Sequence, residues 1–251
     1  MTQNLIQASD GRAWSEWQRS AHLARAGWLD PDQLCPPGRR VIIIAPHPDD
    51  EILMAGGLMA GLRGRESDLV LISATDGEGS HPDSQRWDEH SLRRQRVQES
   101  RNALVRLDLD PNRIDWRRLN LKDGGVAHDE PFLVNHLNQL LKPDDLLITT
   151  WRGDGHCDHE AIGRAAAQSA QVRKAQLCEV PVWAWHWAEP DDPRLPWQRA
   201  HRLRLDPERL ARKRESIQAH VSQLEPDGTR APILPTSLLD CLLQPFELVF
   251  L

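Results

Sequence analysis

Residues 41–51 read VIIIAPHPDDE. The first five are an unbroken apolar run of strand length, with no polar alternation, as expected of a strand covered on both faces. The chain then passes at once to His47, Pro48 and three acids, Asp49, Asp50 and Glu51. Three adjacent carboxylates repel one another, so the cluster calls for a counter-charge or a bound cation.

Outward from this stretch, strand and helix patterns alternate. Residues 50–62 read as a helix, DLVLISAT (68–75) as a second buried strand and SLRRQRVQESRNALVRLDL (91–109) as a long amphipathic helix. RIDWRRLNL (113–121) alternates like a strand, PFLVNHLNQLL (131–141) reads as a helix, DLLITT (145–150) as a buried strand and HEAIGRAAAQSAQV (159–172) as an alanine-rich helix. This order predicts a Rossmann-like three-layer α/β/α fold with a mostly parallel sheet.

The flanks are less regular. RAWSEWQRSAHLARAGWL (12–29) reads as an N-terminal helix, broken by the proline-rich DPDQLCPPGRR (30–40). After residue 176, QLCEVPVWAWHWA is strand-like, LDPERLARKRESIQAHVSQ is a capped helix, and the tail mixes both types. No repeat or linker divides the chain. The expectation is a single domain over 1–251, with a helical extension at 1–40 and a less regular part at 177–251.

Composition narrows the function classes. The 251 residues carry a formal net charge of -6, which disfavours non-specific nucleic-acid binding. Cys35, Cys157, Cys178 and Cys241 form no CxxC pair and suit a reducing compartment. The N-terminus is too polar for a signal peptide and no apolar run reaches membrane-span length, so a cytoplasmic location is expected. Ten Trp stand against no Tyr. Trp183, Trp185 and Trp187, at alternate positions, would share one strand face, with His186 on the other. That stripe is read as core or interface first, making a homo-oligomer plausible, and as a substrate-selectivity wall second.

The chemistry gathers where strands end. In an open parallel sheet, ligands bind at the carboxyl ends of the strands. HPDDE follows the 41–45 strand and GDGHCDH (153–159) follows the 145–150 strand, so adjacent strands would bring the two clusters together. Two histidines and a carboxylate, with a fourth position left to water, form a common catalytic zinc shell. His47 and Asp50 supply it from one turn and His159 completes it. Asp49 is placed as general base, His156 as the group that stabilises an oxyanion or protonates a leaving amine, and Asp158 as the carboxylate that orients His156. Zn²⁺ fits this set, and Fe²⁺ is also accepted.

APHPDDE with its GG-containing helix, TDGEGS (75–80) and HCDHEAIG (156–163) resembles the PIG-L/LmbE-like family of zinc-dependent N-acetylglucosaminyl deacetylases. RVQESRNALVRLDL (96–109), KDGGV (122–126) and KRESIQAHVSQ (213–223) extend the likeness over about residues 41–224. The resemblance implies zinc at His47, Asp50 and His159, Asp49 as base, and His156 assisting the tetrahedral intermediate with Asp158 behind it. It also implies that Arg96 and Asp123 reach sugar hydroxyls. The expected partner is therefore a small N-acylated sugar or sugar conjugate. One departure stands out: the family usually has proline where this chain has Cys157, which is read as a small packed residue.

Two rivals remain. A non-haem Fe(II) oxygenase shares the ligand set but usually uses a β-sandwich scaffold. A non-catalytic metal- or glycan-binding protein of the same fold would need neither Asp49 nor His156. A dinucleotide-binding fold is disfavoured, because no GxGxxG follows the first strand.

Overall fold

The computed structural model describes residues 11–251. In chain order the elements are α1 (Trp14–Trp17), α2 (Ala21–Arg25), β1 (Gly27–Leu29), α3 (Pro31–Leu34), β2 (Val41–Ala45), α4 (Asp50–Ala60) and β3 (Leu69–Thr75). Next come α5 (Glu89–Arg106), β4 (Asp115–Leu121), α6 (Glu130–Leu140), β5 (Leu146–Thr150), α7 (Cys157–Arg173) and β6 (Gln176–Val180). The chain ends with α8 (Ala184–Trp187), β7 (Ala200–Arg204), α9 (Pro207–Ile217), α10 (Val221–Leu224), α11 (Thr236–Leu242) and β8 (Phe246–Phe250).

Among the described residues the strands form one eight-stranded sheet in the order β1-β7-β8-β6-β5-β2-β3-β4. Its pairings are parallel except at β8, which runs antiparallel to β6 and β7. The alternating strands and helices thus give the expected mostly parallel α/β sheet. The apolar run at 41–45 is fully buried because it lies in mid-sheet between β3 and β5, with Ile43 in register with Leu71 and Ile148. Val41, Ile43 and Ala45 enter the core on one face, with Leu53 and Leu104. Ile42 and Ile44 enter the other, with Leu133 and Ile162 of α6 and α7. Full burial of each such side chain contributes about 1.5–3 kcal/mol.

From β2 the chain proceeds through β3 to β4 on one side, while β5 and β6 lie on the other. The reversal of winding falls between β2 and β5, where an open α/β sheet leaves a crevice at its carboxyl edge. Both chemistry-bearing clusters emerge there.

The flanks depart from expectation in two places. The helix expected over 12–29 is two short helices followed by β1. Ser20 caps α2 by accepting the Leu23 amide, and Asp191, distant in sequence, accepts the Ala21 and His22 amides, so side-chain partners start a second helix where one was expected to run on. Residues 27–29 then pair with His201–Leu203 of β7. The strand expected through 176–188 stops at Val180. Pro181 follows, and the amides of Val182, Trp183 and Ala184 all donate to the Asp154 carboxylate, which turns the chain into α8. Trp183, Trp185 and Trp187 therefore do not share a strand face. Trp185 is buried against Trp17, whereas Trp183 and Trp187 are half-buried.

Candidate active site

Asp49, the N-cap of α4, has φ 138° and ψ −34°. A non-glycine residue in that region costs about 1–3 kcal/mol and persists only where its surroundings impose it. Here they do. The Asp49 amide donates to Glu51 Oε2, and Glu51 Oε1 accepts the Ser100 hydroxyl of α5. Arg96, buried on the same helix, donates to the carbonyls of Pro48 and Gly77 and to Asp49 Oδ2. The strained turn points the Asp49 carboxylate into a cavity of about 890 Å³ at the carboxyl edge of the sheet.

Across that cavity, His156 is the N-cap of α7, and its Nδ1 accepts the Asp158 amide at 3.2 Å. One turn later His159 is completely buried, with Nδ1 2.8 Å from Asp154 Oδ2. A carboxylate only accepts, so Nδ1 carries a proton, and in the neutral imidazole Nε2 presents a lone pair. That Nε2 is buried and makes no hydrogen bond, although Asp50 Oδ2 lies 3.2 Å away. The same Asp50 oxygen is 3.1 Å from His47 Nδ1. Two ligands about 2.1 Å from one tetrahedral ion sit roughly 3.4 Å apart. His47 Nδ1, Asp50 Oδ2 and His159 Nε2 therefore fit one divalent cation, and the orphaned Nε2 is the atom it would satisfy.

By proximity alone, two further groupings could hold an ion: His47 with His156 and His159, and His47 with Asp123 and Asp158. Both contain His47, whose Nε2 is 3.2 Å from Asp123 Oδ1 and from Asp158 Oδ2. The set with Asp50 is favoured: it uses the unpartnered His159 Nε2, which the Asp123 grouping lacks, and it brings a carboxylate oxygen within 3.2 Å of both rings, which the His156 grouping lacks.

The electrostatics follow from this crowding. Burial pushes the Asp49 carboxyl up to about 7, with Arg96 opposing and Asp50 and Glu51 reinforcing. Burial disfavours charge on His159, but Asp50 and Asp154 outweigh it and raise that imidazole to about 9. His47 is likewise raised despite burial, by Asp123, Asp158 and Asp50. His156 goes the other way, lowered to about 3 by burial and by the neighbouring His159 and His47. It is therefore neutral, and with Nδ1 accepting, its proton sits on Nε2.

The structure gathers His47, Asp49, Asp50 and His156 around one cavity, which Arg96 and Asp123 line as well, while His159 is fully buried against Asp50. Asp158 differs. Its carboxylate accepts the amides of Gly124 and Val126 and faces His47, so it orients His47 instead of standing behind His156. The loop at 122–126 packs over the start of α7 and captures that side chain first. Cys157, half-buried in the cavity wall, keeps its Sγ 3.7 Å from Asp158 Oδ1.

Asp154 went unassigned in the sequence. It takes the Nδ1–H of His159 and three backbone amides, and its own carbonyl accepts the Trp187 indole N–H. A carboxylate behind a metal-binding histidine fixes the ring's tautomer and direction. The available signal was an acid five residues before His159 in a glycine-rich turn, a spacing that helical periodicity does not single out.

The profile of the family described as "PIG-L: GlcNAc-PI de-N-acetylase" matches residues 42–170, just over half of the chain. A Bacillus subtilis protein named "Probable N-acetyl-alpha-D-glucosaminyl L-malate deacetylase 2" is 30% identical over 143 residues, 54% of this chain and 62% of that protein. A 1D-myo-inositol 2-acetamido-2-deoxy-alpha-D-glucopyranoside deacetylase of Mycobacteroides abscessus is 28% identical, over 55% of this chain and 59% of its own. The chain thus spans less than two thirds of either relative. Among solved structures, the N,N'-diacetylchitobiose deacetylase of Pyrococcus horikoshii superposes with TM-score 0.57 at 18% identity, covering 78% of this chain and 73% of that one. A deacetylase of the teicoplanin biosynthetic pathway superposes with TM-score 0.64 at 20% identity, covering 84% and 96%. The profile match takes in β2 through most of α7, hence both clusters that meet at the cavity, and the chain belongs to the PIG-L family.

Proposed function

We propose that the protein is a metal-dependent hydrolase that removes an N-acetyl, or other N-acyl, group from an amino sugar or a glycosylated small molecule. The observation that carries this reading is Asp49: a buried carboxylate in a strained turn, beside the cation-fitting set and lining the cavity. A protein that only bound a metal or a glycan would gain nothing from that strain.

In this reading His47, Asp50 and His159 hold Zn²⁺, as the nitrogen-rich set suggests, and the family relatives named as deacetylases support the reaction type. A bound divalent ion polarises an amide carbonyl and lowers the pKa of its water to about 7. Asp49 takes the proton of the attacking water, with Arg96 holding its Oδ2 and leaving Oδ1 for the transfer. His156, neutral, offers Nε2–H to the developing oxyanion, a donor that needs no reorganisation during the reaction. Asp49 then returns its proton to the departing amine. Asp158 and Asp154 hold the rings of His47 and His159. Asp123 and Arg96, both in the cavity lining, face the sugar hydroxyls.

The test is amine release from a panel of N-acetylated glucosamine conjugates, by zinc-loaded protein beside its Asp49→Asn variant. Release by the wild type alone is expected. Equal release by both proteins, or none from a panel spanning free sugars and conjugates with zinc bound at one equivalent, overturns the proposal.

A further inference from the structure

The charges in the cavity lining are already engaged with one another. Among the described residues, its Asp, Glu, Lys and Arg side chains are Asp49, Asp50, Asp123 and Arg96. Asp50 belongs to the cation-fitting set. Asp49 Oδ2 takes Arg96, whose other hydrogen bonds go to the Pro48 and Gly77 carbonyls and whose Nε is buried. Asp123 turns Oδ1 to the His47 ring at 3.2 Å and Oδ2 to the Gly79 amide at 2.9 Å. Its remaining lone pairs can accept neutral hydroxyls, but its charge already faces that ring. The loop that brings Gly79 and Ser80 into the lining repeats the pattern: Arg118 closes on Asp76 at 2.6 Å and Arg93 on Glu78 at 3.0 Å. Lys122 and Arg230 adjoin lining residues in sequence, but both are exposed and outside the lining. Residues 1–10 contain no Lys or Arg. His186 of α8 has its Nδ1 buried, which leaves one ring nitrogen for a ligand.

We infer that the preferred substrates carry an uncharged aglycone, and that conjugates bearing a carboxylate, a phosphate or an ammonium there are discriminated against. The inference rests on the hydrolase reading above. A cavity of about 890 Å³ lies near the upper end of the roughly 300–1,000 Å³ range of small-molecule sites, which leaves room for a group attached to the sugar. A charged group that enters gives up its water, and without a counter-ion of its own this costs far more than it does for a neutral polar group. Whichever way the amide lies, such a group meets only charges that are already paired. Hydroxyls and amides fare better, because the rest of the lining offers neutral polar partners in Ser80, Gln223, Thr236 and Ser237.

The experiment uses zinc-loaded protein and three N-acetylglucosamine glycosides of similar size, with carbamoylmethyl, carboxymethyl or aminoethyl as the aglycone. An unpaired charge in a closed site costs more than about a hundredfold, so in this open cavity kcat/KM for the carbamoylmethyl compound should exceed that for each charged one by at least about tenfold. Ile233→Lys, at a partly exposed lining position, supplies a free cation and should raise the carboxymethyl compound relative to the carbamoylmethyl one by at least about fivefold. Equal rates on all three compounds overturn the inference and leave the hydrolase intact. So does a preference for either charged compound; one for carboxymethyl that His186→Gln, Lys122→Met or Arg230→Met abolishes would identify the counter-ion. A ratio that Ile233→Lys leaves unchanged also overturns it, since the aglycone would then lie outside the cavity. Where none of the three is hydrolysed, equilibrium binding to the same protein decides. The carbamoylmethyl compound bound at least about tenfold more tightly than both charged ones sinks the hydrolase reading and sustains the inference, and equal binding overturns both.

Discussion

Helix α4 carries two buried charge clusters, and they are built on opposite principles. At its N-terminus, Asp49 and Asp50 crowd against His47 and His159, with one imidazole nitrogen left orphaned. In its middle, Lys213 of α9 meets Glu247 of β8 at 2.8 Å, with both side chains almost wholly buried. There every group is used. Lys213 Nζ also donates to the Leu53 carbonyl, and Glu247 accepts the amides of Gly57 and Leu58. Gly56 and Gly57 make this approach possible: a Cβ on Gly57 would fall 2.5 Å from Leu205, and one on Gly56 would fall 3.1 Å from Lys213. A closed network of this kind fixes the placement of α4 against the sheet. The open cluster at the helix's end then acquires a defined position without being stable in itself. Strain and unmet valence are tolerated where chemistry is done, and the neighbouring network holds the frame.

The sharpest way to break this comparison is to remove charge from each cluster in turn. Asp49→Asn should lower kcat/KM on an N-acyl sugar by about 10²–10⁴-fold, the range for loss of a general base, while zinc still binds stoichiometrically. Its melting temperature should hold or rise, since a buried carboxyl with a raised pKa gives way to a neutral amide. Lys213→Met should do the reverse. Leaving Glu247 buried and unpaired costs about 3–5 kcal/mol in urea unfolding, and adding Glu247→Leu should recover most of it. A Lys213→Met protein as stable as the wild type would show that the two clusters do not differ as described.

Metal affinity sharpens the same contrast. Asp154→Asn keeps the size of the side chain but lets His159 rotate, so zinc should bind about 10- to 100-fold more weakly in competition with a chelator. Binding should also weaken as pH falls. His159 is raised to about 9 in the metal-free protein and His47 is raised as well, so each must shed a proton before it can ligate. The sign follows: below about pH 9 the apparent affinity should fall tenfold per unit for one proton and up to about a hundredfold for two. A flat profile between pH 6 and 8 would mean that these imidazoles are already neutral. Lys213 and Glu247, closed on each other, should add nothing to that slope.

How much of this could be read in the sequence depends on whether the signal was local. The buried strands at 41–45 and 145–150 and the acids and histidines after them are local patterns, and the fold merely joins two neighbouring strands. The tryptophan stretch misled because alternation predicts a strand only if the backbone amides find a sheet; here Asp154, about 30 residues earlier, takes three of them. Asp158 misled for a similar reason, its carboxylate being claimed by amides from the 122–126 loop. Residues 27–29 are too short a run to announce a strand before β7 is in place to receive it.

The smallest test concerns Cys157, the one position where the second motif departs from its family resemblance. Cys157 is the first residue of α7, where a helix leaves its amides without internal partners and proline is readily accepted. A residue before proline must be extended, and His156 already is, at φ −105° and ψ 130°. Nothing in the backbone therefore opposes Cys157→Pro. The substitution should stabilise the protein by about 0.4–1 kcal/mol, through a less flexible unfolded chain. Zinc affinity should stay within a factor of two, because the ligand geometry at His159 is set by Asp154 and not by this residue. If zinc binding instead falls tenfold or more, the thiol or the looseness it permits takes part in the site, and Cys157 is more than a packed residue.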